Sequence, residues 1–149
     1  SDRAIHPAFA EEFGQVCKLL HEHCQRARDQ QLILVGGDVH LGAISELRWD
    51  SGAKAVQLIS SGITRKPERG VTLLSSLAVR AHHATEPTTD HEPHADLVAS
   101  DAEHPFLGCN LALIELEMQQ DGRWSTDLSI HGVTEQRFGC IVQHAVSAP

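Results

Sequence analysis

Aromatic residues are scarce in this chain of 149 residues: tyrosine is missing, and phenylalanine and tryptophan together make up only 4%. Hydrophobic residues nevertheless account for 41% of the sequence, a share that is typical of globular proteins. A chain of this length can bury a core, and here that core has to consist mainly of Leu, Ile, Val and Ala. We therefore predict a single globular domain over residues 1–149.

Positive charge is also in short supply, because 12 Lys and Arg stand against 20 Asp and Glu, for a formal net charge of −8. Nucleic acids and anionic membranes bind clustered Lys and Arg, so the composition argues against both as partners. No apolar run is long enough to span a membrane, and no signal peptide is recognisable. We expect a cytoplasmic protein.

The four cysteines do not form a disulfide framework. Cys17 and Cys24 are seven residues apart on a predicted helix, hence roughly 10 Å apart along its axis, which is too far for a disulfide. Cys109 and Cys140 lie near predicted strands that could become neighbours. The pattern favours four reduced thiols, mostly buried, in a cytoplasmic protein.

One long helix is predicted from about residue 7 to residue 29. Apolar residues recur there at the helical period: Phe9, Phe13, Val16, Cys17, Leu20 and Cys24. Pro7 suits the first turn, and Glu11 and Glu12 complement the positive end of the helix dipole. We expect His21 on this helix to face solvent.

The remaining pattern is mostly that of strands. Strands are predicted at about 31–35, 43–49, 54–60, 111–118, 124–131 and 138–144. The turns Asp50-Ser51-Gly52 and Gln120-Asp121-Gly122 predict hairpins. A short helix is predicted over 71–79, and a flexible His-rich surface loop over 82–105. The fold class is therefore α+β, with a mixed or mostly antiparallel sheet and a long N-terminal helix.

The end of the first strand carries the most informative residues. Gln31-Leu32-Ile33-Leu34-Val35 runs directly into Gly36-Gly37-Asp38-Val39-His40-Leu41, which reads as a buried strand that ends in a glycine-supported turn. Asp38 and His40 stand one residue apart at the carboxyl end of that strand, where α/β sheets tend to bind ligands. A carboxylate and an imidazole suit a divalent metal, although two ligands alone also fit a turn cap and a packed histidine.

Together with the following strands, this turn resembles the last part of a calcineurin-like metallophosphoesterase, most closely the alkaline-phosphatase-D-like (PhoD-like) branch. Gly37-Asp38-Val39-His40 corresponds to that branch's closing metal motif, and Ser60-Ser61-Gly62-Ile63-Thr64 to its Ser-Ser-Gly-rich segment. The resemblance covers about residues 6–66. It implies half of a two-sheet αββα sandwich and a centre of two metal ions, such as Mn, Fe, Zn or Ca. Asp38 and His40 would be catalytic metal ligands in it.

The superfamily's other metal motifs do not occur in this sequence: there is no second Asp-x-His and no Gly-Asn-His. We therefore expect the chain, which begins at Ser1-Asp2-Arg3, to be the C-terminal part of a larger phosphoesterase. The intact enzyme would hydrolyse a phosphorylated small molecule or a phosphodiester. Alone, the chain should be inactive and should self-associate through the surface that the missing part covers.

Other candidate residues carry weaker signals. Arg65 follows the Ser-Ser-Gly segment and is a candidate for binding a substrate phosphate. Ser60 and Ser61 are expected to bond the turning backbone. In the His-rich loop, imidazoles and carboxylates are dense enough to capture Zn²⁺ or Ni²⁺: His82, His83, Asp90, His91, Glu92, His94 and Asp96. Two alternatives to the hydrolase stay open, namely a non-catalytic assembly sub-domain and a small metal-binding module.

Overall fold

The computed structural model describes residues 10–37, 41–60, 91–100, 104–134 and 137–146. Over these ranges the order of elements is α1 (Ala10–Arg26), β1 (Ile33–Gly36), β2 (Gly42–Arg48), β3 (Lys54–Ser60), β4 (His94–Leu97), β5 (Asn110–Met118), β6 (Trp124–Thr134) and β7 (Arg137–Val146). The strands form two sheets, one mixed and one antiparallel. The prediction of an α+β fold with a long N-terminal helix is confirmed.

The first sheet, sheet A, has the strand order β1-β3-β2-β4. β1 runs parallel to β3, with Ile33 opposite Val56 and Gly36 opposite Ile59, whereas β2 is antiparallel to both β3 and β4. Gly52, at a φ of 83°, closes the predicted hairpin between β2 and β3. That left-handed conformation is the one in which glycine is favoured over other residues.

The second sheet, sheet B, is antiparallel in the order β5-β6-β7. Gly122 closes the β5–β6 hairpin at a φ of 81°, as its turn sequence predicted. The register of β6 against β7 shifts between Ile130 and His131, which marks a bulge. The predicted last strand is confirmed and is longer than expected.

The main core lies between the two sheets. Its buried residues are Ile44, Val56 and Leu58 from sheet A, and Phe106, Leu128, Ile130, Ile141 and Val142 from sheet B and the segment before it. A second cluster covers the other face of sheet A, where Cys24 of α1 packs with Leu47, Trp49 and Ala55. Helix, sheet A and sheet B therefore form three successive layers.

One prediction about local structure needs correction, and another falls outside the described ranges. The loop predicted over 82–105 is wrong at His94–Leu97, which forms β4 at the edge of sheet A. Four residues that alternate between polar and apolar side chains give too short a pattern to be recognised as a strand. The short helix predicted over 71–79 lies outside the described residues. Within the described ranges, no helix has the length and apolar character that a membrane crossing requires.

Candidate functional site

The parallel pairing of β1 and β3 brings the ends of two candidate segments together. Gly36 at the end of β1 lies opposite Ile59, one residue before β3 ends at Ser60. The chain therefore leaves both strands at the same end of sheet A, which is formed by the carboxyl ends of β1 and β3. In α/β sheets, ligand sites commonly lie at this end, where neighbouring parallel strands have their carboxyl termini.

The predicted site residues themselves lie outside the described part of the chain. This holds for the candidate catalytic metal ligands Asp38 and His40 and for the candidate substrate-binding residue Arg65. The flanking residues are described: Leu41 is buried, and Gly42 begins β2 opposite Ser60. Their positions fix where the Asp38–His40 segment departs from the sheet and where it returns.

Of the glycines near this end of the sheet, Gly42 is the one at which packing leaves no space for a side chain. A Cβ on Gly42 would lie 2.9 Å from both Asn110 Oδ1 and Ile130 Cγ2, closer than real Cβ contacts allow. Gly36 has open space around it and belongs to β1, so the turn that we predicted from it begins later. Ser60 donates a hydrogen bond to Asn110 Oδ1 at 2.9 Å, a side-chain contact in place of the backbone contact that we expected.

The His-rich segment does not gather its described imidazoles into one place. His91 Nδ1 lies 3.1 Å from His21 Nδ1, whereas His94 Nε2 lies 3.5 Å from Asp50 Oδ1 on the β2–β3 turn. Among the residues that the structure describes, no group of three or more His, Cys, Asp or Glu side chains could hold a metal ion. His82, His83 and Asp90 lie outside those residues.

The prediction that His21 faces solvent is wrong. His21 is 7% exposed and stacks on the ring of Trp49, with centroids 5.5 Å apart and planes within 2°. Its Nε2 lies 2.7 Å from Ser51 Oγ, and Nδ1 faces His91. Sequence reasoning missed this cluster because its members are 30 and 70 residues apart, and only tertiary packing of α1 on sheet A joins them.

A cavity of about 470 Å³ lies beside this cluster. Its lining includes Gln25 near the end of α1, Arg28 just after that helix and Leu32 just before β1. Ser51 and Lys54 line it around the β2–β3 turn. Since the cavity adjoins the start of β1, it lies at the opposite end of that strand from the Asp38–His40 segment. Its volume falls within the usual range of small-ligand pockets.

A charged cluster separates this cavity from a neighbouring one of about 360 Å³. Arg48 bonds to Asp96 and lies 3.6 Å from Glu46, which in turn lies 3.6 Å from His144 of sheet B. The side-chain hydrogen bond from Arg48 to Asp96 raises the pKa of the guanidinium above its ordinary value. The cluster joins the two sheets, and its charges are paired with one another.

All four cysteines lie in the described ranges, and each is a free thiol, as predicted. Cys17 and Cys24 are buried on α1, whereas Cys140 is exposed, in contrast to our expectation that most would be buried. Burial raises the pKa of the Cys17 and Cys24 thiols, because the thiolate loses hydration; for Cys17 the carboxylate of Glu92 adds to the effect.

The comparisons with known proteins give no relative for this chain. No protein-family model matches it, and neither a curated protein nor a solved structure is significantly similar to it.

Proposed function

We propose that this chain is the C-terminal segment of a metal-dependent phosphoesterase that hydrolyses phosphate mono- or diesters at a two-metal centre. The parallel arrangement of β1 and β3 is the observation that supports it most. β1 and β3 finish at the same end of sheet A, where a ligand site is expected, and in the sequence they are followed by the Asp38–His40 and Arg65 segments. The proposal also rests on the resemblance of Gly37-Asp38-Val39-His40 to the closing motif of calcineurin-like phosphoesterases.

The donor set fits such a centre. An imidazole and a carboxylate are ligands that Mn²⁺, Fe and Zn²⁺ accept, and two adjacent ions supply charge stabilisation and a water of lowered pKa. In the intact enzyme His40 would donate a ring nitrogen to one metal, while Asp38 would bind the other or orient the attacking water. Arg65 would pair with a phosphate oxygen of the substrate.

Exposed apolar side chains that face the space between the sheets support the view that further polypeptide packs on the described part. Val35 of β1 faces this space but is 68% exposed. On sheet B, four large side chains on the same inward-facing rows are also exposed by 38–64%: Ile114, Leu116, Met118 and Trp124. We call these five residues the open seam. Uncovered apolar rows of this kind mark an interaction surface, which the upstream half of a phosphoesterase would cover.

The open seam also favours one alternative. A non-catalytic sub-domain that serves assembly or binding would expose the same surface without needing Asp38 or His40. Upstream Asp-x-His and Gly-Asn-His motifs in the full reading frame favour the enzyme, and their absence from it favours the assembly sub-domain.

The cellular setting follows from charge and thiol chemistry. The net charge of −8 argues against nucleic acid as a partner, and the resemblance to phosphoesterases favours a phosphorylated small molecule or a phosphodiester. Four free thiols, two of them buried and one exposed, suit the reducing cytoplasm, where disulfides are rare.

The test is hydrolysis of p-nitrophenyl phosphate with Mn²⁺ by the chain that includes its upstream sequence. His40→Ala should lower turnover at least about a hundredfold, since metal ligands supply much of the transition-state stabilisation. His94→Ala is the matched control, because His94 pairs with Asp50 on another turn and should leave turnover unchanged. The 149-residue chain alone should show no hydrolysis of p-nitrophenyl phosphate. Equal turnover in the His40 variant and the parent would refute the proposed role of His40.

A further inference from the structure

His21 is a buried histidine whose ring lies between helix α1 and the β2–β3 turn. It is buried between α1 and sheet A, it stacks on Trp49, and both of its ring nitrogens have polar partners. One partner, Ser51, lies on the exposed β2–β3 turn and lines the 470 Å³ cavity. The ring therefore connects an accessible hydroxyl with a second imidazole, His91.

The hydrogen bonds define the positions of the protons. The side-chain amide of Gln25 lies 3.1 Å from His21 Nε2 and donates to it, so Nε2 is an acceptor. Because a neutral imidazole carries one proton, that proton resides on Nδ1 and is donated to His91 Nδ1 at 3.1 Å. Nε2 has a single lone pair, which the Ser51 hydroxyl shares with Gln25; Ser51 is the nearer donor, at 2.7 Å against 3.1 Å. The Ala53 amide donates to the Ser51 oxygen at 3.4 Å.

This is the order of groups that activates a nucleophile: a hydroxyl, an imidazole base, and a third group that holds the base in its tautomer. We propose that Ser51 is an acyl-accepting nucleophile, that His21 is its general base, and that His91 is the positioning residue. The site does not depend on the proposed phosphoesterase function, because it uses neither Asp38 nor His40 and requires no metal.

The cavity beside Ser51 indicates the class of substrate. Leu32, Ala55 and Val56 give it apolar walls, while Arg28 and Lys54 line it without an ion-pair partner among the described residues. A small carboxylic ester with an apolar acyl group and an anionic substituent matches these walls. The two cations also carry the charge that complements an oxyanion.

The reaction balances without a further reagent except water. Ser51 Oγ bonds to the carbonyl carbon as its proton passes to His21 Nε2; the bond to the alcohol oxygen then breaks, and that oxygen takes the proton from His21. The product is an alcohol and an acyl ester on Ser51. Water attacks the acyl carbon and gives a proton to Nε2, and Ser51 Oγ leaves with that proton, which releases the carboxylic acid.

A fluorophosphonate probe tests this assignment, because it loses fluoride and bonds to an activated serine oxygen. In EDTA, the chain should take up one equivalent, and peptide mass spectrometry should place the probe on Ser51. Ser51→Ala should abolish labelling. Ser129→Ala is the matched control: Ser129 also contacts an imidazole, with Oγ 2.9 Å from His131 Nε2, but it is 5% exposed and should not react.

Two outcomes would overturn the proposal: no probe on the unmodified chain, or undiminished labelling in Ser51→Ala. Because the first measurement uses the natural sequence, a variant that fails to fold does not obscure it. The unmodified chain should label at the same rate in EDTA and in Mn²⁺, which separates this site from the phosphoesterase centre.

The role of His91 is tested separately with p-nitrophenyl acetate in EDTA. His91→Leu removes the acceptor for Nδ1–H and should lower kcat about tenfold with little change in KM, since the base loses its orientation but the cavity is unchanged. His91→Gln keeps an acceptor oxygen and should restore part of the rate. Equal kcat values for the Leu and Gln variants would exclude the positioning role.

Discussion

Among the described glycines, Gly132 has the least space for a side chain. It lies on β6 opposite Gly139 of β7, and a Cβ added there would approach Phe106 Cε1 to 2.3 Å. Phe106 is itself 6% exposed and packs in the main core, so its ring has little room to move. No local pattern singles out this glycine, because the residue that restricts it is 26 positions away.

Gly132→Ala should therefore destabilise the fold by about 1–3 kcal/mol, the usual cost of overpacking a core. Urea denaturation followed by tryptophan fluorescence measures it. Gly139→Ala is the matched control, because a Cβ at that position meets nothing within 4 Å, and it should be neutral or slightly stabilising. Equal stability of the two variants would contradict the packing described here.

Helix α1 contacts sheet A through a face that contains two thiols. Cys17, His21 and Cys24 are its buried residues, and Cys24 packs against Leu47 and Trp49. The apolar periodicity predicted this face and the helix, but it assigned His21 to solvent. Periodicity identifies the buried face from apolar residues alone. His21 is buried because Ser51 and His91 are hydrogen-bond partners for its ring nitrogens and Trp49 stacks on its ring.

The two thiols make the stability of α1 on sheet A sensitive to alkaline pH. Their ordinary pKa is 9.0, and burial raises it in the folded chain. Below pH 9.0 both states keep the protons; above it the unfolded thiols ionise first, so the free energy of unfolding falls as pH rises through the folded pKa.

We expect urea denaturation to show a smaller free energy of unfolding at pH 10 than at pH 7. Cys24→Ala should reduce that difference by removing one of the titrating groups. Cys140→Ala, at an exposed position, should leave it unchanged. If the free energy of unfolding decreased by the same amount from pH 7 to pH 10 in Cys24→Ala and in the parent, burial of this thiol would not be a cause of the pH dependence.

Periodicity and turn residues predicted most of the elements, since both are local properties of the sequence. Gly52 and Gly122 lie at positive φ in the two hairpins that their sequences predicted. What could not be predicted was the partnership between elements: β4 joining the edge of sheet A, His91 reaching α1, and His144 of β7 approaching Glu46 of β2. These contacts depend on the tertiary arrangement, and no local pattern encodes them.

The whole molecule leaves the open seam uncovered by its described part. The apolar side chains of the open seam face inwards on both sheets, so their burial requires further polypeptide or a second copy of the chain. We expect the isolated chain to self-associate through these residues, and we expect upstream sequence to compete with that association.

Leu116→Lys should shift the isolated chain towards the monomer in sedimentation experiments, because Leu116 is 62% exposed within the seam and a buried ammonium is costly. Leu19→Lys is the control: Leu19 is 64% exposed on α1, away from the seam, and the change should not alter association. A monomeric parent chain at high concentration would refute self-association.

The metal content of the chain with its upstream sequence tests the central claim most directly. Elemental analysis after exhaustive dialysis should find about two metal ions per chain in the parent and in His94→Ala, but one or none in His40→Ala, since loss of a ligand from a shared centre weakens both sites. The same metal content in His40→Ala as in the parent would contradict the assignment of this turn to a phosphoesterase centre.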